Sequence, residues 1–417
     1  MNIAFSLPVI DADVVAEMND TLTNTGWLTS GPKVVALEQE FRKLTTAESV
    51  ICVNSWVSGA MLMLRWFGVG HGDEVIVPAY TYCATALACL NMGAKPVMVD
   101  VQDDFTIDPE KIKAAITPRT KVIIPVDIAG LPCDYDRIAE VLNDEEVKKL
   151  FQPQSANQEK LGRILVLADA AHSVGAFYKN KPVGTATDVS VFSLHSVKNI
   201  TTGEGGAICL NLPEQFQHEA EYKYLKALSI NGQTKSAFEK NQVGGWRYDI
   251  IAQGLKVNMP DICASVGLAQ IRKYKSELLP ERKNIFNNYN REFSKHNWAL
   301  LPTVIDSERE SSYHLFLLRI KNFTETQRDQ MIQTISEKGV GVNVHYTPMP
   351  MLTLFKNLGY KMEDYPKTYE LYANEITLPL YNGLTEEQLQ YVVQTVTEAY
   401  KKEIASRFVP LDKQQQV

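Results

Sequence analysis

The sequence predicts an α/β protein: a parallel sheet with helices on both faces, followed by a smaller C-terminal α/β unit. Three observations carry this. Short runs of aliphatic and β-branched residues alternate with helix-length segments from Val50 onward. One such run, Ile164 to Leu167, is continuously apolar, as a strand buried on both faces must be, and it gives way to Asp169. The length, 417 residues, exceeds what one ordinary core supports. A large domain over 1–272 and a small one over 273–417 are therefore expected, with the boundary in a long helix near Lys273 to Asn288.

Taken in order, the segment Gly26 to Leu44 turns at Gly31-Pro32 and then places Val34, Leu37 and Phe41 at helical spacing. A strand at Val50–Val53 leads through Asn54, Ser55, Trp56, Val57, Ser58 and Gly59 into a helix expected from Ala60. Small polar residues between a strand and a helix start make an anion site, because free N–H groups and the helix dipole point outward there. The strand Glu74–Val77 delivers Tyr80 and Tyr82. Two more strands follow at 96–101 and 121–126, separated by a helix around Pro109 to Ile116. The stretch 146–163 is polar and reads as a surface insertion. Beyond it, Ile164–Leu167 ends near Asp169, and Val189–Leu194 leads into His195, Lys198 and a Gly-rich turn, Gly203-Glu204-Gly205-Gly206.

The remainder holds a strand at 206–211 and a charged helix from Glu214 to Leu228. The irregular polar stretch 231–250 has the length of a loop that closes over a ligand. The last third, with apolar runs at 313–320 and 339–346 and a helix at 385–400, forms the smaller unit. The end, PLDKQQQV, reads as a frayed tail.

Composition excludes several classes. A hydrophobic content of 45% and a charged content of 22% are those of a globular protein. The net charge of −7 argues against a general nucleic-acid or anionic-membrane binder. No apolar run approaches the roughly 18 residues of a membrane span, and the N-terminus lacks a signal-peptide pattern, so a cytoplasmic location is expected. The six cysteines form no C-x-x-C pair, so neither a disulfide framework nor a metal site is expected.

An acid at one strand end and a lysine after the next strand face a common crevice, where open α/β sheets bind ligands. A lone lysine is ordinarily a solvated charge and a lone aspartate ordinarily a helix cap. Together, in this order, they are the parts that pyridoxal 5'-phosphate (PLP) needs: a lysine to hold it covalently, an acid for its pyridine nitrogen, and small polar residues for its phosphate. Lys198, Asp169 and Ser193 are the candidates. Gly203 to Gly206 lacks the spacing of a dinucleotide-binding fingerprint, which excludes a Rossmann dehydrogenase.

The segments DAAHSVGA and FSLHSVKNITTGEGG resemble the cofactor motifs of the PLP-dependent sugar aminotransferases of the DegT/StrS type. The resemblance runs from about Gly26 to the C-terminal helix. It implies the fold type I PLP-dependent transferase architecture, with a mostly parallel seven-stranded sheet in the large domain. It also implies that Lys198 and Asp169 act on the cofactor and that His172 lies beside its phenolic oxygen. Ser193 binds phosphate by the same comparison, and Tyr82 stacks on the pyridine face. Thr29 and Ser30 lie at the mouth of the site, the segment of His345 and Tyr346 reaches toward substrate, and Asn258 supplies a phosphate contact from a partner chain in a homodimer with shared sites. Two departures stand out. Trp56 and Val57 occupy the phosphate turn where the family has a small residue followed by Thr, leaving Ser55 and Ser58 as replacement hydroxyls. Asp127 and Ile128 stand where His-Tyr is usual.

The implied reaction is transamination from L-glutamate to a nucleotide-linked 4-keto-6-deoxy sugar, giving a 4-amino sugar for surface polysaccharide of the O-antigen type. The nucleotide is taken as dTDP ahead of UDP and GDP. The alternatives are amination at C3 and a non-catalytic sugar-nucleotide binding protein. A 3-dehydratase would carry histidine at the lysine position, and Lys198 stands there.

Overall fold

The computed structural model describes residues 1–406, so the C-terminal tail lies outside the described residues. The main sheet has seven strands: β1 (Ser49–Val53), β2 (Glu74–Pro78), β3 (Lys95–Val99), β4 (Thr120–Ile123), β5 (Leu165–Asp169), β8 (Val189–Ser193) and β9 (Gly206–Leu210). A short hairpin, β6 (Phe177–Tyr178) and β7 (Lys181–Pro182), lies between β5 and β8 in the chain. The spatial order is β1-β9-β8-β5-β4-β2-β3. Every pair from β8 to β3 is parallel, and β9 runs antiparallel to both its neighbours. The mostly parallel seven-stranded sheet expected from the resemblance is therefore present. Its strands are buried on both faces because helices cover both, which is why they read as unbroken apolar runs.

Register decides where the site lies. Gly206, the first residue of β9, pairs with Val53 at the end of β1 and with Ser193 at the end of β8. Asp169 closes β5 one strand further on. All these strand ends open on one edge of the sheet.

The helix after β1 begins at Trp56 rather than Ala60, with Ser55 as its N-cap: the Ser55 hydroxyl accepts from the Ser58 amide at 3.1 Å. The stretch 146–163, expected as a surface insertion, is ordered and bonded to the neighbouring helix. It forms helices Glu145–Leu150 and Ala156–Leu161, and Ser155 and Gln158 donate to the Phe67 carbonyl while Asn157 donates to that of Trp66. Its polar side chains thus cap the end of the helix Trp56–Trp66, a use that composition alone does not reveal.

A second sheet holds β10 (Ala299–Leu300), β12 (Phe316–Ile320) and β13 (Glu375–Leu378), and β11 (Arg309–Glu310) joins the β6–β7 hairpin. Helices Leu279–Phe293, Glu325–Glu337 and Glu386–Ser406 supply the surrounding core, which includes Phe286, Tyr289, Phe316 and Val392. The run 339–346 makes only single bridges, Val340 with Ile3 and Asn343 with Thr377. The first residues of the chain thereby pack into this second core, with Ile3 fully buried there.

Candidate active site

A cavity of about 770 Å³ opens at the edge where β1, β2, β5 and β8 end. Ser55, Trp56, Val57, Tyr82, Asp169, His172, Ser193, Lys198, His345 and Tyr346 all line it. Four positions named from the sequence do not. The Ser58 hydroxyl accepts from that of Ser55 at 2.8 Å and so supports the turn from behind. Ser30 donates to the Met259 carbonyl and accepts from the Asn258 amide, both at 2.6 Å, and Thr29 lies in the same strap. Asn258 pairs with Val53 at the sheet edge, just outside the cavity of its own chain.

One end of the cavity is built for an anion. In the first turn after Ser55, the amides of Trp56 and Val57 bond to no carbonyl among the described residues. Ser193 faces them across Gly206. A Cβ at Gly206 would lie 2.8 Å from the Ser55 carbonyl carbon and oxygen, so only glycine lets the turn approach β9 this closely. With no hydroxyl at Val57 and the Ser55 proton given to Ser58, the amides and the Ser193 hydroxyl are the donors there.

At the centre, Asp169 accepts from the Thr85 hydroxyl at 2.9 Å and from the Ala171 amide at 3.2 Å. Burial pushes its carboxyl up to about 7, against the opposing pull of Thr85, Ala171 and Lys198. Lys198 follows β8 in a turn stapled by the Thr201 hydroxyl and the Thr202 amide, which both donate to the Leu194 carbonyl. Burial lowers the Lys198 ammonium to about 8, opposed by the charge of Asp169. A lysine so placed is neutral far more often than a solvated one.

The facing wall is a set of uncharged histidines. Nδ1 of His172 accepts from the Ala129 amide at 3.1 Å, so its proton is on Nε2, which lies 3.0 Å from the Tyr346 hydroxyl. Burial first, and Lys198 and His345 next, hold His172 well below the usual histidine range. The main chain of His345 donates to Glu375, and its Nδ1 lies 2.9 Å from Thr377, whose hydroxyl donates to Glu375 at 2.6 Å. The Phe5 ring stacks on His345 at 5.4 Å. Tyr82, 58% exposed, presents its ring to the cavity 5.8 Å from that of Tyr346.

Thr85 was missed in the sequence, since nothing in TYCATA separates it from ordinary helix-start polarity. Asp127, where the family pattern is broken, is fully buried and accepts from Tyr135, Ser173 and the Cys133 amide. It fixes the segment that carries Ala129, and through it His172.

These groups fit pyridoxal phosphate: unpaired amides with the Ser193 hydroxyl for the phosphate, a buried carboxyl for the pyridine nitrogen, an aromatic face, and a lysine of lowered pKa. Comparison with known proteins agrees. The profile described as the DegT/DnrJ/EryC1/StrS aminotransferase family matches residues 8–397. The spore coat polysaccharide biosynthesis protein SpsC of Bacillus subtilis is 32% identical over 402 residues, covering 95% of this chain and 97% of that protein. A putative sugar aminotransferase of Streptococcus pneumoniae, Spr1654, solved in its PMP form, superposes with a TM-score of 0.92 at 42% identity, covering 96% of this chain and 100% of that one. Its PLP form gives 0.91 at 40%, covering 97% and 100%. PseC of Helicobacter pylori, an aminotransferase involved in the biosynthesis of pseudoaminic acid, gives 0.82 at 25%, covering 96% and 100%. With PLP as its cofactor and the fold type I architecture, the chain belongs to the DegT/DnrJ/EryC1/StrS aminotransferase family.

Proposed function

We propose that this protein transfers an amino group from L-glutamate to C4 of a nucleotide-linked 4-keto-6-deoxy sugar, with dTDP as the nucleotide. The observation that carries the reading is the pairing of Lys198 with Asp169 in one cavity, where burial shifts the lysine toward the neutral form the chemistry needs. PLP supplies the electron sink when bound.

The residues divide the work. Lys198 would hold the cofactor and, once displaced, move a proton between the α-carbon of the donor and the cofactor, which an ammonium cannot do. Asp169 would keep the pyridine nitrogen protonated through a charge-assisted bond. The Trp56 and Val57 amides with Ser193 would take the phosphate, and Tyr82 would cover the ring. His172 and Tyr346 would orient the phenolic side, with His345 toward the sugar.

The 4-keto choice rests on the forms DAAH and HSVKNITTGEGG, which resemble 4-aminating members. A place in surface polysaccharide assembly rests on the naming of SpsC. No helix among the described residues is long and apolar enough to cross a membrane, which accords with a cytoplasmic enzyme.

We also propose a homodimer with shared sites, Thr29, Ser30 and Asn258 serving the neighbouring subunit's cavity. The support is their position outside their own cavity and the exposed apolar side chains of the stretch 231–250, whose Phe238 meets Trp27 at 5.2 Å: Trp246 is 69% exposed, and Tyr248 and Ile250 are also exposed.

The test is incubation with L-glutamate and dTDP-4-keto-6-deoxyglucose, followed by NMR of the product. An amine at C4 is expected. An amine at C3, or turnover of 3-keto sugars alone, overturns the regiochemistry.

A further inference from the structure

Behind the cavity lies a further histidine, outside the roles assigned to His172 and His345. His314, 3% exposed, precedes β12. Its ring lies 4.4 Å from that of His172, tilted by 37°. Its Nδ1 lies 2.7 Å from Oδ1 of Asn199, the residue that directly follows Lys198.

The hydrogen bonds fix who donates. Nδ2 of Asn199 donates to the Tyr274 hydroxyl at 3.1 Å and to the Ser312 carbonyl at 2.9 Å. Tyr274 in turn donates to the Val174 carbonyl at 2.7 Å, so it accepts from Asn199. The Asn199 amide therefore has one orientation, with its oxygen toward His314. His314 must donate from Nδ1. Burial, with His172, Lys198 and Arg282 adding to it, holds His314 well below the usual histidine range, so its ring is neutral.

The segment around His314 is itself clamped. Arg282, fully buried on the helix Leu279–Phe293, donates to the carbonyls of Tyr313, His314 and Leu380. The Ser312 hydroxyl donates to the His172 carbonyl. One rigid strap thus touches His172 and, through Asn199, the backbone of Lys198.

We infer that His314 is a positioning residue: its Nδ1–H, through Asn199, sets where the Lys198 amine sits, while its ring face backs His172. This rests on Lys198 holding the cofactor. A displacement of the amine on the order of 1 Å costs about a hundredfold in rate, so a bond that pins the neighbouring residue has a catalytic consequence.

The experiment uses the holoenzyme, two variants of the donor and one of its acceptor. His314→Phe keeps a ring and removes the donor, and His314→Asn keeps an N–H near the Nδ1 position without the ring. The visible absorbance of the bound cofactor, titrated with pH, reads the setting of Lys198. For His314→Phe we expect the titration midpoint to move by about half a unit or more and kcat to fall by about tenfold to a hundredfold, with donor KM within about threefold. His314→Asn should return the midpoint toward wild type. Asn199→Ala should reproduce the Phe phenotype. Unchanged midpoint and kcat in folded His314→Phe overturns the inference, as does loss of kcat with no midpoint shift. Solid-state ¹⁵N spectra of histidine-labelled wild type decide independently of any variant's folding. With only seven histidines, His314 should show Nδ1 protonated, and an Nε2–H or charged ring overturns the inference. If Lys198 did not hold the cofactor, wild type itself would lack the titrating absorbance, so the two failures are distinguishable.

Discussion

The Nε2 of His172 lies 3.0 Å from the hydroxyl of Tyr346, although 174 residues separate them in the chain. Because Ala129 occupies Nδ1, the imidazole donates and the phenol accepts, which leaves the Tyr346 proton free to point into the cavity. Burial pushes the Tyr346 phenol above its ordinary range, so it stays a donor throughout the working pH. Tyr346→Phe should therefore lower kcat by about tenfold, the scale of one lost bond to a charged partner, and leave cofactor binding nearly intact. Steady-state kinetics with a cofactor titration check this.

Asp169→Asn keeps the shape and removes the charge. Transamination should fall by about a hundredfold or more while PLP still binds. Thr85→Val, which removes the hydroxyl donor to the carboxylate, should give a smaller loss of about tenfold. Single-turnover rates with glutamate measure both, and an Asn variant as fast as wild type removes Asp169 from the mechanism.

Capture of PLP by the cofactor-free enzyme should speed up with pH. Only neutral Lys198 attacks, and with a midpoint near 8 rather than 10.5 it is neutral in about one molecule in ten at pH 7. Asp169 is protonated in the empty cavity below about 7 and must ionise to meet the pyridinium, which steepens the rise in the same direction. The rate should climb from about pH 6 and level above about 8, and Asp169→Asn should remove the lower step. Stopped-flow absorbance reads it directly.

The same shift bears on stability with the opposite sign. A carboxyl raised from 3.8 to about 7 binds its proton more tightly when folded, so Asp169 favours the folded cofactor-free chain below the unfolded value and loses that contribution as pH rises to about 7. Asp169→Asn should flatten that part of the melting profile between about pH 4 and 7.

Gly206→Ala should cost about 1–3 kcal/mol, because the added methyl meets the backbone of Ser55 and of Phe192 rather than a side chain that can move. PLP affinity should fall with it, since the turn of free amides must back away. Melting curves and cofactor titration of the variant test the pair of effects together.

For the shared site, Lys198→Ala and Asn258→Asp are mixed as separately inactive subunits. In a mixed dimer with contacts across the interface, one site carries both lesions and the other none, so activity should return. No recovery places both residues in one site of one chain.

The strands were readable because both faces are buried, so apolar residues continue without alternation and stop where chemistry begins, as at Asp169. The place of Lys198 on the cavity wall was legible because the Gly-rich turn that follows marks a close backbone approach. What position along the chain hides is contact across it. Thr85 touches Asp169 from 84 residues away, and His314 looks like the polar start of a strand until Asn199 meets it. The 146–163 stretch reads only as a surface insertion because helix caps made in trans leave no periodic signature. Asn258, two residues before the N-cap Pro260, does not cap the helix Asp261–Lys273, and its amide goes to Ser30 instead.

Lys198 should hold the cofactor covalently. Purified holoenzyme, reduced with borohydride and digested, should yield one pyridoxyl-labelled peptide, and sequencing should place the label on Lys198. A label on any other lysine, or none, would contradict the account.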